Sequence, residues 1–194
     1  MIDDKELEEL LNVQKKPFWK EALDYIIWLL GVIVTVQLII HFVGVFSVVD
    51  GESMEPTLYN KEYLWVDKLK YHFTEPERFD VVIFPVESRG SSTYYVKRII
   101  GLPGETVFID EKGNIIVDGE VLNEGYGKEV IQHYTRGNAD EPITLGEDEY
   151  FVLGDNRNHS SDSRYPSVGN IKREEILGRA LVRLWPLNKI GLVD

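Results

Sequence analysis

Ser53 and Lys97 carry a hydroxyl and an amine that could exchange a proton if the fold brought them together. A serine hydroxyl is a poor nucleophile until a base within about 3 Å takes its proton. Ser53 lies in Gly51-Glu52-Ser53-Met54-Glu55-Pro56-Thr57-Leu58, which is unlike the G-x-S-x-G elbow of an α/β-hydrolase. The four histidines offer no obvious base: His41 falls in an apolar stretch, and His72, His133 and His159 sit in polar segments without a triad context. Lys97 is a charge inside Tyr94-Tyr95-Val96-Lys97-Arg98-Ile99-Ile100, a strand pattern that puts Tyr95, Lys97 and Ile99 on one face and Val96, Arg98 and Ile100 on the other. At the ordinary lysine pKa of about 10.4 only roughly one molecule in 2,500 carries the free amine at pH 7, and burial lowers that value. A shift of about three units costs about 4 kcal/mol, which the fold must absorb. The alternative is ordinary surface chemistry, with Ser53 capping a turn and Lys97 snorkelling from a strand edge.

A third segment, Gly154-Asp155-Asn156-Arg157-Asn158-His159-Ser160-Ser161-Asp162-Ser163-Arg164, packs three serines, two aspartates and two arginines into eleven residues. If it is partly buried each charge needs a partner, so an Asp162 to Arg164 or Asp155 to Arg157 pair would stiffen it and let a serine hydroxyl orient an amine. Asp155, Asn156 and Asp162 lack the spacing of a calcium loop, and no metal is expected.

The elements that must position these residues begin with a charge-free run. No Asp, Glu, Lys or Arg occurs between Asp24 and Asp50, which leaves 25 residues, 25–49. As a helix they would reach roughly 37 Å, enough to cross a bilayer. Lys15, Lys16 and Lys20 precede the run closely, while only Lys61 follows within fifteen residues, so residues 1–24 are expected on the cytoplasmic side. Ser47-Val48-Val49-Asp50 has no A-x-A-like site, so the run reads as an uncleaved anchor. Residues 2–11 are acidic, with Ile2, Leu7, Leu10 and Leu11 at helical spacing, and read as an amphipathic helix or tail.

Residues 50–194 suit one domain with one core. The chain contains no cysteine, so packing alone must hold it. Its formal net charge of -12, without a dense basic cluster, disfavours nucleic acid as a partner. Short apolar runs between turn residues give a mainly β expectation. Asp118-Gly119 between Ile115-Ile116-Val117 and Glu120-Val121-Leu122 predicts a hairpin, because a type I′ turn needs positive φ at both central positions. Residues 111–146, rich in Gly, Asn and charge, are expected to form a smaller inserted β lobe, and 172–176 is the best short helix after the anchor.

Taken together, the motifs resemble those of the type I signal peptidases, membrane-anchored Ser/Lys endopeptidases. Ser53 to Leu58 resembles the nucleophile box, Asp80 to Phe84 the strand after it, Tyr95 to Glu105 the lysine box and Gly154 to Arg164 the serine-aspartate-arginine box. The resemblance implies Ser53 as nucleophile, Lys97 as general base, Ser160 hydrogen-bonded to the lysine, and Asp162 and Arg164 supporting the site. It places Met54, Tyr95 and Val96 along the substrate cleft and the Ser53 amide in the oxyanion hole. Some members carry a serine two positions before the nucleophile, where this chain has Gly51, and a glycine is common where it has Phe79. The single span and small insert resemble the Gram-positive branch. Implied partners are signal peptides of exported preproteins and the lipid bilayer, with no metal or organic cofactor. A self-cleaving repressor, which shares a similar core, is disfavoured by the anchor and the lack of a DNA-binding segment. A non-catalytic membrane-tethered β module would make Ser53 and Lys97 dispensable.

Overall fold

The computed structural model describes residues 17–88 and 91–193. The acidic stretch at 2–11 lies outside them. Two units follow one another, the first ending at His41 and the second starting at Phe42.

The described part of the first unit is helix α1, Phe18–Leu38, with the start of a π-helical turn, Ile39–Val43, whose last two residues belong to the second. Pro17 starts it, a good place for a residue that has no N–H to give, and its carbonyl accepts from the Lys20 amide at 2.8 Å. No residue of α1 is buried in protein, and Phe18–Val43 is long and apolar enough to cross a membrane. Thr35 Oγ1 donates to the Gly31 carbonyl at 2.9 Å, so this hydroxyl is satisfied within the helix, as hydrocarbon would require.

These bounds differ from the expected 25–49. The helix starts earlier, because Lys20, Glu21 and Asp24 are tolerated in its first turns, and it stops at Val43 because Gly44–Val48 forms strand β1. A charge-free run does not distinguish a helix from an apolar strand that follows it. Gly44 marks the change: a Cβ there would lie 2.5 Å from the Val66 carbonyl oxygen and 2.6 Å from the Trp65 ring.

Within the second unit, β1 pairs antiparallel with β2, Tyr63–Asp67. The further strands of the large sheet are β3 (Val81–Ser88), β4 (Ser91–Gly101), β9 (Glu149–Leu153), β10 (Ile171–Lys172), β11 (Gly178–Trp185) and β12 (Gly191–Leu192). Among the described residues it has eight strands in the order β1-β2-β11-β3-β4-β9-β10, with β12 on β11. The smaller sheet runs β7-β6-β5-β8, from β5 (Thr106–Ile109), β6 (Ile115–Val117), β7 (Glu120–Val121) and β8 (Ile143–Thr144). The lobe thus begins at Thr106 rather than 111, since β5 is the centre strand to which both β6 and β8 pair. The hairpin turn has φ of 50° at Asp118 and 85° at Gly119, the positive values type I′ demands. The expected helix at 172–176 shrinks to a 3₁₀ turn, Arg173–Glu175.

The lobe does not close a core of its own. Val107, Ile109, Ile115 and Val117 pack with Ile100, Phe151 and Leu153 of the large sheet in one buried cluster. Leu153→Ala should therefore cost roughly 2–5 kcal/mol, read as a lower midpoint of denaturant unfolding of the full chain in detergent. An unchanged midpoint would show that the two sheets are packed independently.

Candidate active site

Ser53 sits on a turn pinned from below. Met54 and Leu58, both 1% exposed, enter a cluster with Val49, Leu64 and Val81, and the Leu58 amide donates to the Met54 carbonyl at 2.9 Å. The 154–164 loop holds the turn from the side: the Asn156 amide donates to the Ser53 carbonyl at 3.0 Å and Asn156 Nδ2 to the Glu52 carbonyl at 3.1 Å. A Cβ on Gly154 would collide with both Ser160 Oγ and the Ser53 carbonyl oxygen, so only glycine admits this approach.

Lys97 projects from β4 to meet the serine. Its side chain is buried, with Nζ 2.7 Å from Ser53 Oγ, 2.9 Å from the Val96 carbonyl oxygen and 5.0 Å from the centre of the Tyr95 ring. Burial pushes its pKa down from 10.5 to about 8. Asp162 and Asp155 pull it back up, and Arg164 adds to the fall. At pH 7 about one amine in ten is then neutral, some two hundred times more than in water.

Two guanidinium forks surround the pair. Arg164 grips Asp162 through Nε to Oδ1 at 2.7 Å and Nη2 to Oδ2 at 2.8 Å, with both side chains fully buried. Its remaining N–H groups reach the Thr135 and Arg157 carbonyls, and Asp162 Oδ2 accepts the Gly154 amide, so the buried charges are satisfied. Arg98 grips Asp155 in the same way, at 2.9 and 2.7 Å, and Thr57 Oγ1 donates to Asp155 at 2.5 Å. The expected Asp155 to Arg157 pair is not made, because Arg98 takes the Asp155 carboxylate and Arg157 instead forks onto Glu124.

Ser160 departs from its expected role. Its hydroxyl is buried against Gly154 without a hydrogen-bond partner, while the Lys97 amine is served by Ser53 and Val96. Gly51 has φ of +106°, a conformation in which a serine would be strained, and its amide already donates to Asn60 Oδ1 at 3.1 Å. Phe79 has φ of +73°, the reason a glycine would suit that position, yet its amide donates to the Ile99 carbonyl and its carbonyl accepts from Arg98.

A cleft of about 470 Å³ opens at Ser53 and Lys97, walled by Met54, Tyr95 and Val96, with His159 and Ser161 at its rim. β4 pairs with β3 from Ser91 to Arg98 but with β9 only from Arg98 onward, so residues 93–97 present the other edge of β4 to this cleft. Among the described residues no group of three or more His, Asp or Glu could hold a metal ion. Arg98, Thr57 and Asn156 were not legible as site residues. For Arg98 the one signal was a second charge, facing the other way, beside Lys97 in an apolar strand.

Comparison with known proteins shows the family. The family model described as signal peptidase, peptidase S26, matches residues 22–185. A protein of Synechocystis sp. named probable signal peptidase I-2 is 40% identical over 156 residues, 78% of this chain and 68% of its own. Signal peptidase I P of Bacillus subtilis subsp. natto is 36% identical over 173 residues, 87% of this chain and 91% of its own. Signal peptidase I S of Bacillus subtilis (strain 168) is 33% identical over 187 residues, 92% and 96% of the two chains. These matches define the class, a serine peptidase that hydrolyses peptide bonds. Within it the chain belongs to the signal peptidase family S26, whose members cut signal peptides from preproteins.

The buried amine makes stability depend on pH in a definite direction. With a pKa of about 8 folded against 10.5 unfolded, the folded chain binds fewer protons between those values, so stability rises with pH across that window. At pH 7 the full cost, about 3 kcal/mol, is carried. Lys97→Met should stabilise the protein by up to that amount at pH 7, and the margin should shrink as pH approaches 10.5. Denaturant titrations at pH 7 and 10 check this, and an equal margin at both would mean that Lys97 titrates as an ordinary lysine.

Proposed function

We propose that Ser53 and Lys97 are the catalytic dyad with which this chain removes signal peptides from exported preproteins. The carrying observation is the 2.7 Å contact between Lys97 Nζ and Ser53 Oγ at an amine withdrawn from water. Neutral Lys97 has one lone pair to accept the Ser53 proton, and it keeps N–H groups for the Val96 carbonyl, which holds it in place. Ser53 Oγ attacks the scissile carbonyl carbon, and the Ser53 amide supports the oxygen as it gains charge. The Lys97 ammonium returns the proton to the leaving amine, the carbon–nitrogen bond breaks, and an ester to Ser53 remains. Lys97, neutral again, takes a proton from water, whose oxygen attacks the ester and frees Ser53. Lys97 recovers its base form when it gives that proton back to the serine oxygen.

The substrate adds as an extended strand along residues 93–97, its backbone supplying main-chain hydrogen bonds and its small side chains fitting between Met54, Tyr95 and Val96. Asp162 and Arg164 hold the loop beside the amine. Ser160 supports the site through packing against Gly154. The apolar helix anchors the chain in the bilayer with its N-terminus cytoplasmic, so the catalytic part acts at the outer face, where a signal peptide's own apolar segment keeps the cut site close. Neither nucleic acid nor a cofactor takes part.

Ser53→Ala and Lys97→Ala should each abolish cleavage of a membrane-inserted preprotein in a detergent assay while leaving the fold intact by circular dichroism. In the unaltered chain kcat/KM should fall about tenfold per pH unit below about 8, the pKa to which burial lowers Lys97. Either variant cutting normally, or a rate flat into acid, would exclude this dyad. Orientation has a separate test, helped by the absence of cysteine from the chain. Glu147→Cys, on the exposed surface, should react with a membrane-impermeant maleimide added outside intact cells. Labelling only after lysis would reverse the topology.

A further inference from the structure

The segment 122–131, which leaves the small sheet after β7, touches the catalytic part through every second residue. Glu124 forks onto Arg157, with Nη2 to Oε2 at 2.7 Å. The ring of Tyr126 lies flat against Arg98, its centre 3.7 Å from the guanidinium carbon, and its other neighbour is Phe79 at 5.2 Å. Lys128 Nζ meets Glu55 at 2.8 Å, and its amide donates to the Asp155 carbonyl at 2.8 Å. Glu55 is two residues from Ser53, Arg98 is next to Lys97, and Arg157 lies in the 154–164 loop. Three alternate residues thus reach the three segments whose relative placement makes the site.

We propose that residues 124–128 are a strap that sets the geometry of the catalytic pair, with Tyr126 as its central positioning residue. The route from Tyr126 to the serine is short. Arg98 is bonded to Lys97 through the β4 backbone and to Asp155 through its fork, and Asn156, next in the chain, holds the Ser53 carbonyl. The ring covers the one ionic link in that circuit and keeps water from it, conditions under which a cation–π contact is strongest. Phe79, in its left-handed conformation, sets its ring against that of Tyr126 at a tilt of 46°, a contact that a glycine there would not make. The strap rests on the Ser53 and Lys97 reading but adds a residue from the lobe, which that reading does not need.

The test uses the full chain in detergent with a preprotein substrate, each rate divided by the fraction of molecules whose Ser53 reacts with an acylating inhibitor. Tyr126→Ala should lower kcat by about tenfold, the size expected for losing a covered cation–π contact, with KM changed less than twofold. Tyr126→Phe keeps the ring face and should retain kcat within about twofold. Tyr126→Leu fills the space without a π face and should behave like the alanine variant. The acid limb should also move to higher pH in Tyr126→Ala, because Asp155, less fully held by Arg98, adds to the pull it already shares with Asp162 toward the Lys97 ammonium against Arg164, with Tyr95 on the remaining side unchanged. Unaltered kcat in Tyr126→Ala, or Tyr126→Leu matching Tyr126→Phe, would overturn the strap. Cleavage surviving in Ser53→Ala would instead overturn the dyad itself, so the two failures are told apart.

Discussion

The site depends on keeping an amine out of water beside a hydroxyl. In the proposed dyad Lys97 serves as a base only because burial makes its charge expensive, and that expense is borne by packing elsewhere in the fold. Three buried clusters supply it, and the dyad lies where the strand that carries Lys97 meets the turn that carries Ser53. Distance is controlled by a closed circuit of five residues. Lys97 is bonded to Arg98, Arg98 is forked to Asp155, Asp155 is bonded to Asn156, and Asn156 holds Ser53, whose hydroxyl returns to Lys97. Two links are peptide bonds and one is a bidentate ion pair, so little freedom remains for the last contact to open.

Carboxylates near a lysine base present a conflict. Asp155 and Asp162 both favour the ammonium form, which would silence the amine at neutral pH. Each is matched by an arginine in a planar fork, and burial outweighs both carboxylates, with Arg164 adding a smaller push toward the free base. The same carboxylates also orient backbone, since Asp162 accepts the Gly154 amide and Asp155 accepts from Thr57. Removing them would relieve the electrostatic pull but loosen the loop, whereas pairing them keeps the geometry.

How much of this was legible in the sequence follows from the range of each interaction. Ser53, Lys97 and the Asp162 with Arg164 pair stood out because a charge in an apolar strand, or two opposite charges two residues apart, is a local signal. The Asp118-Gly119 hairpin was legible for the same reason. Arg98 with Asp155 spans 57 positions, and Arg157 with Glu124 spans 33, so no local pattern announces either. The misplaced helix end and the late start assigned to the lobe share one cause. Apolar residues at 44–48 pair with 63–67, and those at 106–109 pair with both 115–117 and 143–144, and composition does not say which partners an apolar run will find.

The forked pairs have one more consequence. Ionic strength acts on charges that water and counterions can reach, over a Debye length of about 8 Å in physiological salt. Arg98, Asp155, Asp162 and Arg164 are all sealed from solvent, so dissolved ions have no access to the field that tunes the amine. The proposed chemical step is therefore insulated from changes of ionic strength, and any salt sensitivity of the whole reaction must enter through charges on the solvent-exposed surface, when substrate arrives or product leaves.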